Sequence, residues 1–591
     1  MTKRALIHVA YVVMTALLAV SCNRKVEFGK SPVSKVVAAM TSDEKRELIM
    51  SVIDAGQTYA IHRLGIPSVR IAQIPEKLID APLAVMLAQS WNLQLVEQTG
   101  AAVGDEIKRG GADCVLTPDL RYADPVISGK TVAALALGIQ SLGIGAAIRY
   151  NTYDPLSSRL RLKDLEISVR ESQPWAVKVS GASIPDDSIL IDSIIRREWG
   201  FDGMVMAGLS SMHGSVDEMV IDRNVTDILS FISRSSQSRS KDQQDDADTE
   251  SVAGNVSRDI VTEGMVLLKN NGTLPLGKNC NMIALYGVSS YDMYVTAFKS
   301  AGFKLEPSVS AAYGRSAVNE YNVPQRRPFQ YRADAIASDI AVITIGRDYV
   351  APDKRSNDNG FLLSDAEKEL LNDVCDAFHS KGKKVVVILN TCHPVETSSW
   401  KMRPDAILLA GVPGPESGYV VTDALKGVVN PSGKLVDTYV AAYAGTSGRQ
   451  TDHVSYPFGY GLSYTTFEYS NPQAQIEDGI VNLSVNITNT GSVAGREVVQ
   501  VYIEMPTVRS SNIIRELKAY GKTALLQPGE SQTMEFRLSE YELAGFNAAM
   551  SCWQTVLGEY NVSFAASSQD IRSKASFTVS NACTYPVFGK F

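Results

Sequence analysis

Glu198-Trp199-Gly200-Phe201-Asp202-Gly203-Met204-Val205-Met206-Ala207-Gly208-Leu209 holds the junction on which the fold turns. The residues up to Trp199 read as the end of a helix, and Gly200 and Gly203 punctuate the turn that follows. Met204-Val205-Met206 is a short apolar run of the kind that forms a buried strand. A helix running straight into a buried strand is one unit of βα alternation, which builds a parallel sheet or barrel. The strand reaches its end at Gly208, a residue without a side chain.

The same alternation extends outward. From Val36 to Ile232 helical patterns (Ala81 to Arg109, Thr131 to Gly143) alternate with short apolar strands (Asp113 to Leu116, Met204 to Met206). An eight-fold barrel takes about 250 residues. This span, 36–232, is about 200, so the expectation is a shortened or incomplete (β/α)8-like barrel, one or two βα units short. Residues 233–251 are Ser, Gln, Asp and Arg with almost no apolar side chain, the composition of a polar linker. A second α/β unit, an α/β sandwich, is read over 252–443, with strands Met282 to Tyr286, Ile340 to Ile345, Lys384 to Leu389 and Ala406 to Ala410. Ser364-Asp365-Ala366-Glu367 is a capping box that starts a helix before the run Val385 to Leu389, which reads as a strand buried on both faces. Residues 444–591 hold a connecting segment and an all-β sandwich over about Thr466 to Ser580. There Val481 to Ile487 alternates strictly and Asn489-Thr490-Gly491 turns into the next strand. The fold class is therefore α/β multidomain with an all-β end.

Composition narrows the function. The 591 residues carry a net charge of −7, with 45% hydrophobic and 20% charged side chains. That balance is ordinary for a globular protein and argues against nucleic acid as a partner, which calls for a basic face. Lys3 and Arg4 precede an apolar run from Ala5 to Val20 and then Ser21-Cys22, so residues 1–22 read as a secretory signal. Val20-Ser21-Cys22 resembles a bacterial lipoprotein signal, with Cys22 as the lipidated residue. This implies export to the cell envelope, periplasmic or outer-membrane, on a lipid anchor that does not cross the bilayer. The alternative is an ordinary signal peptide with an incidental cysteine. No CxxC pair or histidine grouping calls for a metal, and no cofactor is indicated. Cys375 and Cys392 read as buried thiols, and Cys552 and Cys583 stand open as a late pair.

Four ordered motifs then carry a resemblance. Gly264-Met265-Val266-Leu267-Leu268-Lys269-Asn270 with Leu274-Pro275-Leu276, then Asn430 to Leu435, then Tyr456-Pro457-Phe458-Gly459-Tyr460-Gly461-Leu462-Ser463-Tyr464, then Arg515 to Tyr520 with Pro528-Gly529-Glu530, resemble glycoside hydrolase family 3. The resemblance implies β-glucosidase-like chemistry, a carbohydrate partner and a fibronectin type III-like C-terminal domain. It implies a retaining mechanism with two carboxylates about 5 Å apart.

Residue by residue, the implied site is altered. Aligned on Trp199 to Gly203, the family's nucleophilic Asp falls on Gly208, which cannot form a covalent glycosyl intermediate. Aligned on Ile345-Gly346-Arg347, the acid/base falls on Ala351. Asp217 and Asp353 are the weak substitutes, with Asp348 also nearby. Where the family holds sugar hydroxyls with an Asp after Gly65 to Arg70, this chain has Ala72-Gln73-Ile74, and its Lys-His pair appears as Arg149-Tyr150. Arg70 and Arg149 are the remaining candidate sugar contacts, each equally readable as a structural ion pair. Three functions follow: a family homologue with its catalysis impaired, an active retaining glycosidase with relocated carboxylates, and a non-catalytic glycan-binding or structural surface lipoprotein.

Overall fold

The computed structural model describes residues 26–588 apart from 54–55, 75–80, 121, 123, 153–161, 182–188, 208–217, 240–249, 288–290, 314–322, 348–359, 412–416, 445–448, 451–452, 507–514 and 548. The first body is a parallel sheet of β1 (Ile71–Gln73), β2 (Cys114–Leu116), β3 (Gly145–Thr152), β4 (Ala176–Gly181) and β5 (Met204–Ala207), paired in chain order. Alternate residues face opposite sides of a strand. Val115, Ile148, Tyr150, Val177 and Val179 face a core shared with the helices Leu93–Arg109, Pro125–Ser141, Lys163–Ser172 and Ile189–Glu198. Cys114, Leu116, Ala147, Ala176, Met204 and Met206 face the other way, against the helices Val33–Ala39, Ser42–Ile53 and Glu218–Arg239.

In a closed barrel that second face would line the interior. Here helices cover it, and no closed barrel forms among the described residues. Five strands of the sheet lie among the described residues. The helix over this face also runs on to Arg239, past the Ile232 boundary and into the stretch read as linker, because Ser, Gln and Arg tolerate a helix without supplying an apolar face.

Local sequence explains the helices. Within Leu93–Arg109 the buried residues Leu95, Val96, Thr99, Val103 and Ile107 recur every three or four positions. The Asn92 side chain caps this helix by accepting from Leu95 N at 3.3 Å. Asp124 caps Pro125–Ser141 by accepting from Val126 N at 2.8 Å, with Pro125 in the first turn. The expected single helix from Ala81 to Arg109 is two, Ala81–Gln89 and Leu93–Arg109. They part at Trp91, whose φ of 51° lies in the left-handed region.

The second body contains β6 (Val266–Asn270), β7 (Met282–Gly287), β8 (Lys304–Leu305), β9 (Ile340–Gly346), β10 (Lys384–Asn390) and β11 (Ala406–Leu409), in the order β6-β11-β10-β9-β7-β8. β6 is an antiparallel edge and the rest run parallel. β10 is buried on both faces from Val385 to Asn390, as its unbroken apolar run requires. The capping box is present: Ser364 N donates to Glu367 Oε2 at 2.9 Å and Glu367 N to Ser364 Oγ at 3.2 Å.

The third body is an antiparallel sandwich. Phe467–Glu477, Ile480–Asn489 and Ser531–Ser539 form one sheet, and Glu516–Lys522, Val498–Glu504, Gly558–Ser567 and Asp570–Val579 the other. Val481, Leu483, Val485 and Ile487 enter the shared core, as their alternation requires. A small sheet of Gly545–Asn547, Cys552–Gln554 and Thr584–Pro586 is appended. Its register sets Cys552 opposite Pro586, while Cys583 bonds Thr555. Three residues of offset is about 10 Å along a strand, beyond disulfide reach, and all the described cysteines are free.

Trp91 lies where the three bodies meet. Its indole is 5.5 Å from the Phe458 ring and 5.1 Å from Tyr520, and its Nε1 donates to the Lys434 carbonyl at 3.0 Å. Beside it the Lys522 ammonium is buried on the Glu263 carboxylate at 3.0 Å and donates to Ser90 O at 3.0 Å. Among the described residues no helix is long and apolar enough to cross a membrane.

Candidate functional site

In a parallel α/β sheet the reactive side chains stand at the strand C-terminal ends. In the first body these ends carry Gln73, Leu116, Arg149 to Thr152, Gly181 and Ala207. Gln73, Leu116, Arg149 and Met206 belong, by alternation, to the helix 218–239 side of the sheet. Arg149 reaches across β2 and donates its guanidinium Nη2 to the Gln73 side-chain oxygen. Its backbone N–H donates to Thr117 Oγ1 at 3.2 Å, which holds β3 to the residue after β2. The two positions at which the family resemblance expects sugar contacts are thus bonded to one another.

Tyr150 points the opposite way, 6% exposed in the core under the helices, so it does not share a face with Arg149. Lys178 does. It is the β4 register partner of Arg149 and places a second cation on that face. Its only sequence signal is a lone lysine in the run Ala176-Val177-Lys178-Val179.

Arg70 belongs elsewhere. It precedes β1, its guanidinium donates to Gly110 O at 2.7 Å, and its N–H donates to Asp113 Oδ2 at 2.8 Å. These partners lie at the strand N-terminal edge, so Arg70 ties a helix end to the sheet and is removed from the mouth. Behind the mouth, Asp119, Ser128, Ile148, Arg149, Tyr150, Asp164 and Ser168 line a crevice of about 10 Å³. That holds about one water and excludes a sugar ring.

The Trp199 to Gly203 turn is held firmly. Trp199 and Phe201 are buried. Arg196 donates to Phe201 O at 3.1 Å and Gly203 O at 2.5 Å, pairs with Asp227, and lies 5.5 Å over the Phe201 ring. A Cβ on Gly203 would come within 2.4 Å of the Phe201 ring, so only glycine fits. Burial pushes the Asp227 carboxyl up to about 6 despite Arg196. The turn therefore fixes β5 against both flanking helices, and β5 ends at Ala207. Gly208, Asp217, Ala351, Asp353 and Cys22 lie outside the described residues.

In the second body the strand order reverses between β7 and β9, where open α/β sheets take ligands. Arg347 follows β9 there. It is buried and doubly paired with Glu367 at 2.8 and 2.7 Å, and it also donates to the carbonyls of Gly346 and Gly360. Its fork is satisfied by the protein, and it secures the start of the helix Asp365–His379. Among the described residues no group of His, Cys, Asp or Glu is set to hold a metal ion.

A parallel α/β body, a second α/β body and an antiparallel sandwich are thus joined at a buried aromatic junction. Residues 265–464 match the glycosyl hydrolase family 3 C-terminal domain and residues 497–568 the fibronectin type III-like domain. Thermostable beta-glucosidase B of Acetivibrio thermocellus is 28% identical, over 93% of this chain and 88% of that one. Beta-glucosidase BoGH3A of Bacteroides ovatus is 25% identical, over 84% of each. The structure of beta-glucosidase 3B from Thermotoga neapolitana in complex with glucose superposes with a TM-score of 0.81 at 27% identity, over 94% of this chain and all of that one. Residues 265–464 thus carry a glycosyl hydrolase family 3 C-terminal domain, and the chain is similar over most of its length to β-glucosidases. The alignment to the Acetivibrio thermocellus enzyme spans 681 positions, whereas 93% of 591 residues is about 550, so about 130 positions of it have no counterpart here.

Proposed function

We propose that this chain is a β-glucosidase-like family 3 protein that has lost retaining hydrolysis and serves as a glycan-binding protein of the cell envelope, anchored by lipid on Cys22. The observation that carries the loss of catalysis is Gly208. The family register set on Trp199 to Gly203 puts the nucleophile there, and glycine offers no oxygen to the anomeric carbon. Ala351 at the acid/base position and the Gln73–Arg149 bond at the mouth support the same reading. Glycosides remain the expected ligand class because the relatives are named β-glucosidases. Anchoring rests on Lys3, Arg4, the apolar run and Ser21-Cys22.

The test of catalysis is release of nitrophenolate from p-nitrophenyl β-glucoside by the purified chain. Release no faster than in buffer is expected, and enzyme-dependent turnover overturns the proposal. If turnover occurs and is abolished by Asp217→Ala or Asp353→Ala, the relocated-carboxylate reading replaces it. Anchoring is tested by labelling cells with a radioactive fatty acid: label on the protein, lost in Cys22→Ala, is expected, and an unlabelled protein refutes the anchor.

A further inference from the structure

A groove of about 580 Å³ lies at the seam between the second body and the sandwich, lined by Ser398, Lys401, Ala441, His453, Val454 and Gln569. Three separate segments build it. Ser398 and Lys401 come from the turn after β10, Ala441, His453 and Val454 from a short antiparallel pairing of Tyr439–Val440 with Val454–Tyr456, and Gln569 from the turn between Gly558–Ser567 and Asp570–Val579. Seams between domains are where ligand pockets collect, and the volume is in the range of small-ligand sites.

The polar lining is uncommitted. Lys401 Nζ donates to Ser455 O at 2.9 Å and lies 4.7 Å from the Tyr456 ring centroid. An ammonium has three protons to donate, so donors are left over. The side chains of Ser398, His453 and Gln569 find no hydrogen-bond partner among the described residues. Among the described residues every polar group on the lining can donate, one is cationic, and none is a carboxylate. Burial holds the Lys401 ammonium below its usual range, with Glu396 opposing the shift. Ala441 and Val454 add an apolar surface for the face of a ring.

We propose that this groove is a binding site for a carboxylate-bearing saccharide, with Lys401 facing the carboxylate and Ser398, His453 and Gln569 bonding ring hydroxyls. The site needs no catalytic group and is remote in sequence from Gly208 and Ala351, so it stands or falls apart from the hydrolase question.

Methyl β-D-glucuronide and methyl β-D-glucoside differ only in a carboxylate for a hydroxymethyl, and both are titrated calorimetrically into the full chain, with sodium acetate as the charge-only probe. Glucuronide binding with a Kd of about 1 mM, and glucoside and acetate each at least about tenfold weaker, is expected. Lys401→Met and the exposed-residue variant His453→Ala/Gln569→Ala should each weaken glucuronide about tenfold. The second variant decides the matter if Lys401→Met unsettles the Ser455 strand. Equal affinity for the two glycosides, acetate matching the glucuronide, no heat at about 10 mM, or full binding by the His453→Ala/Gln569→Ala protein overturns the proposal. The nitrophenyl assay reads the first site alone and is unchanged by these groove variants.

Discussion

Lys522→Met tests the junction of the three bodies. The Lys522 side chain is 1% exposed, and its ammonium binds Glu263 Oε2 and Ser90 O, while Asn92 Nδ2 donates to the same Glu263 oxygen at 2.9 Å. Burial pushes Lys522 down to about 8 in spite of Glu263. The fall from 10.5 to about 8 corresponds to about 3 kcal/mol of penalty on the charged form. The sign follows from proton linkage. Between about pH 8 and 10.5 the unfolded chain keeps this proton and the folded chain releases it, so folding stability from this group rises with pH across the window. Two opposing effects therefore act at pH 7.5. Removing the ammonium relieves its desolvation but strands the Ser90 carbonyl and leaves Glu263 with Asn92 and the more distant Arg496 at 3.9 Å, and breaking one side of a buried pair costs about 3–5 kcal/mol. From pH 7.5 to 9.5 the wild type should gain about 2 kcal/mol relative to Lys522→Met. Urea unfolding at the two pH values, followed by tryptophan fluorescence, measures this gap. A gap that stays constant or narrows as pH rises refutes the reasoning. Adding Glu263→Gln to Lys522→Met should recover most of the loss, because the uncompensated charge goes with it.

Trp91→Ala should destabilise by about 3–5 kcal/mol through loss of a buried indole and its bond to Lys434 O. Trp91→Gly should be less damaging by about 1 kcal/mol, since glycine relieves the φ of 51°. Calorimetry compares them, and an alanine variant more stable than the glycine variant contradicts the strain argument. Burial raises the Asp405 carboxyl, but Lys384, the Val385 N–H and His379 outweigh it and hold it down to about 2, so it stabilises the second body above pH 3.8, and that contribution, about 1–2 kcal/mol after solvent screening, fades as pH falls toward 2. Asp405→Asn should flatten the acid limb of the Tm–pH curve. Glu367→Gln should strand the buried Arg347 and lower stability by about 3 kcal/mol or more in urea unfolding.

Much of the framework was legible because its signals are local. The β10 run is apolar at every position and must be buried on both faces. The Ser364 box names its own cap, and the strict alternation at Val481 to Ile487 allows only a half-buried strand. Closure of the first sheet was not legible. The helices outside an open and a closed sheet carry the same pattern, and what separates them is that the helix 218–239 lies on the opposite face. The break at Trp91 was hidden because an apolar residue continues the helical pattern, and a left-handed φ leaves no mark in composition. Arg70 and Gln73 are near in sequence, but Arg70 precedes β1 and Gln73 ends it, so they lie at opposite ends of the strand. The pattern of positions near the mouth was readable, whereas the bond between Gln73 and Arg149 depends on reach across β2, which no spacing rule supplies.

Where this chain keeps its polar groups satisfied bears on the proposed loss of catalysis. A working glycosidase holds unsatisfied donors and charges at its mouth for a substrate, and that readiness costs stability. Here Arg149 Nη2 is turned onto Gln73, although its buried Nε keeps no partner among the described residues, and Arg347 is closed by Glu367 and the carbonyls of Gly346, Gly360 and Leu362. Meanwhile the junction around Trp91 and Lys522, which does no chemistry, retains a buried indole and a buried ion pair. A chain released from turnover is expected to drift this way, because nothing opposes the internal pairing of idle polar groups, while the contacts that join its three bodies are still needed for it to fold. The groove at Lys401 runs against that drift. Ser398, His453 and Gln569 keep exposed donors there, and the proposed saccharide would give them a partner.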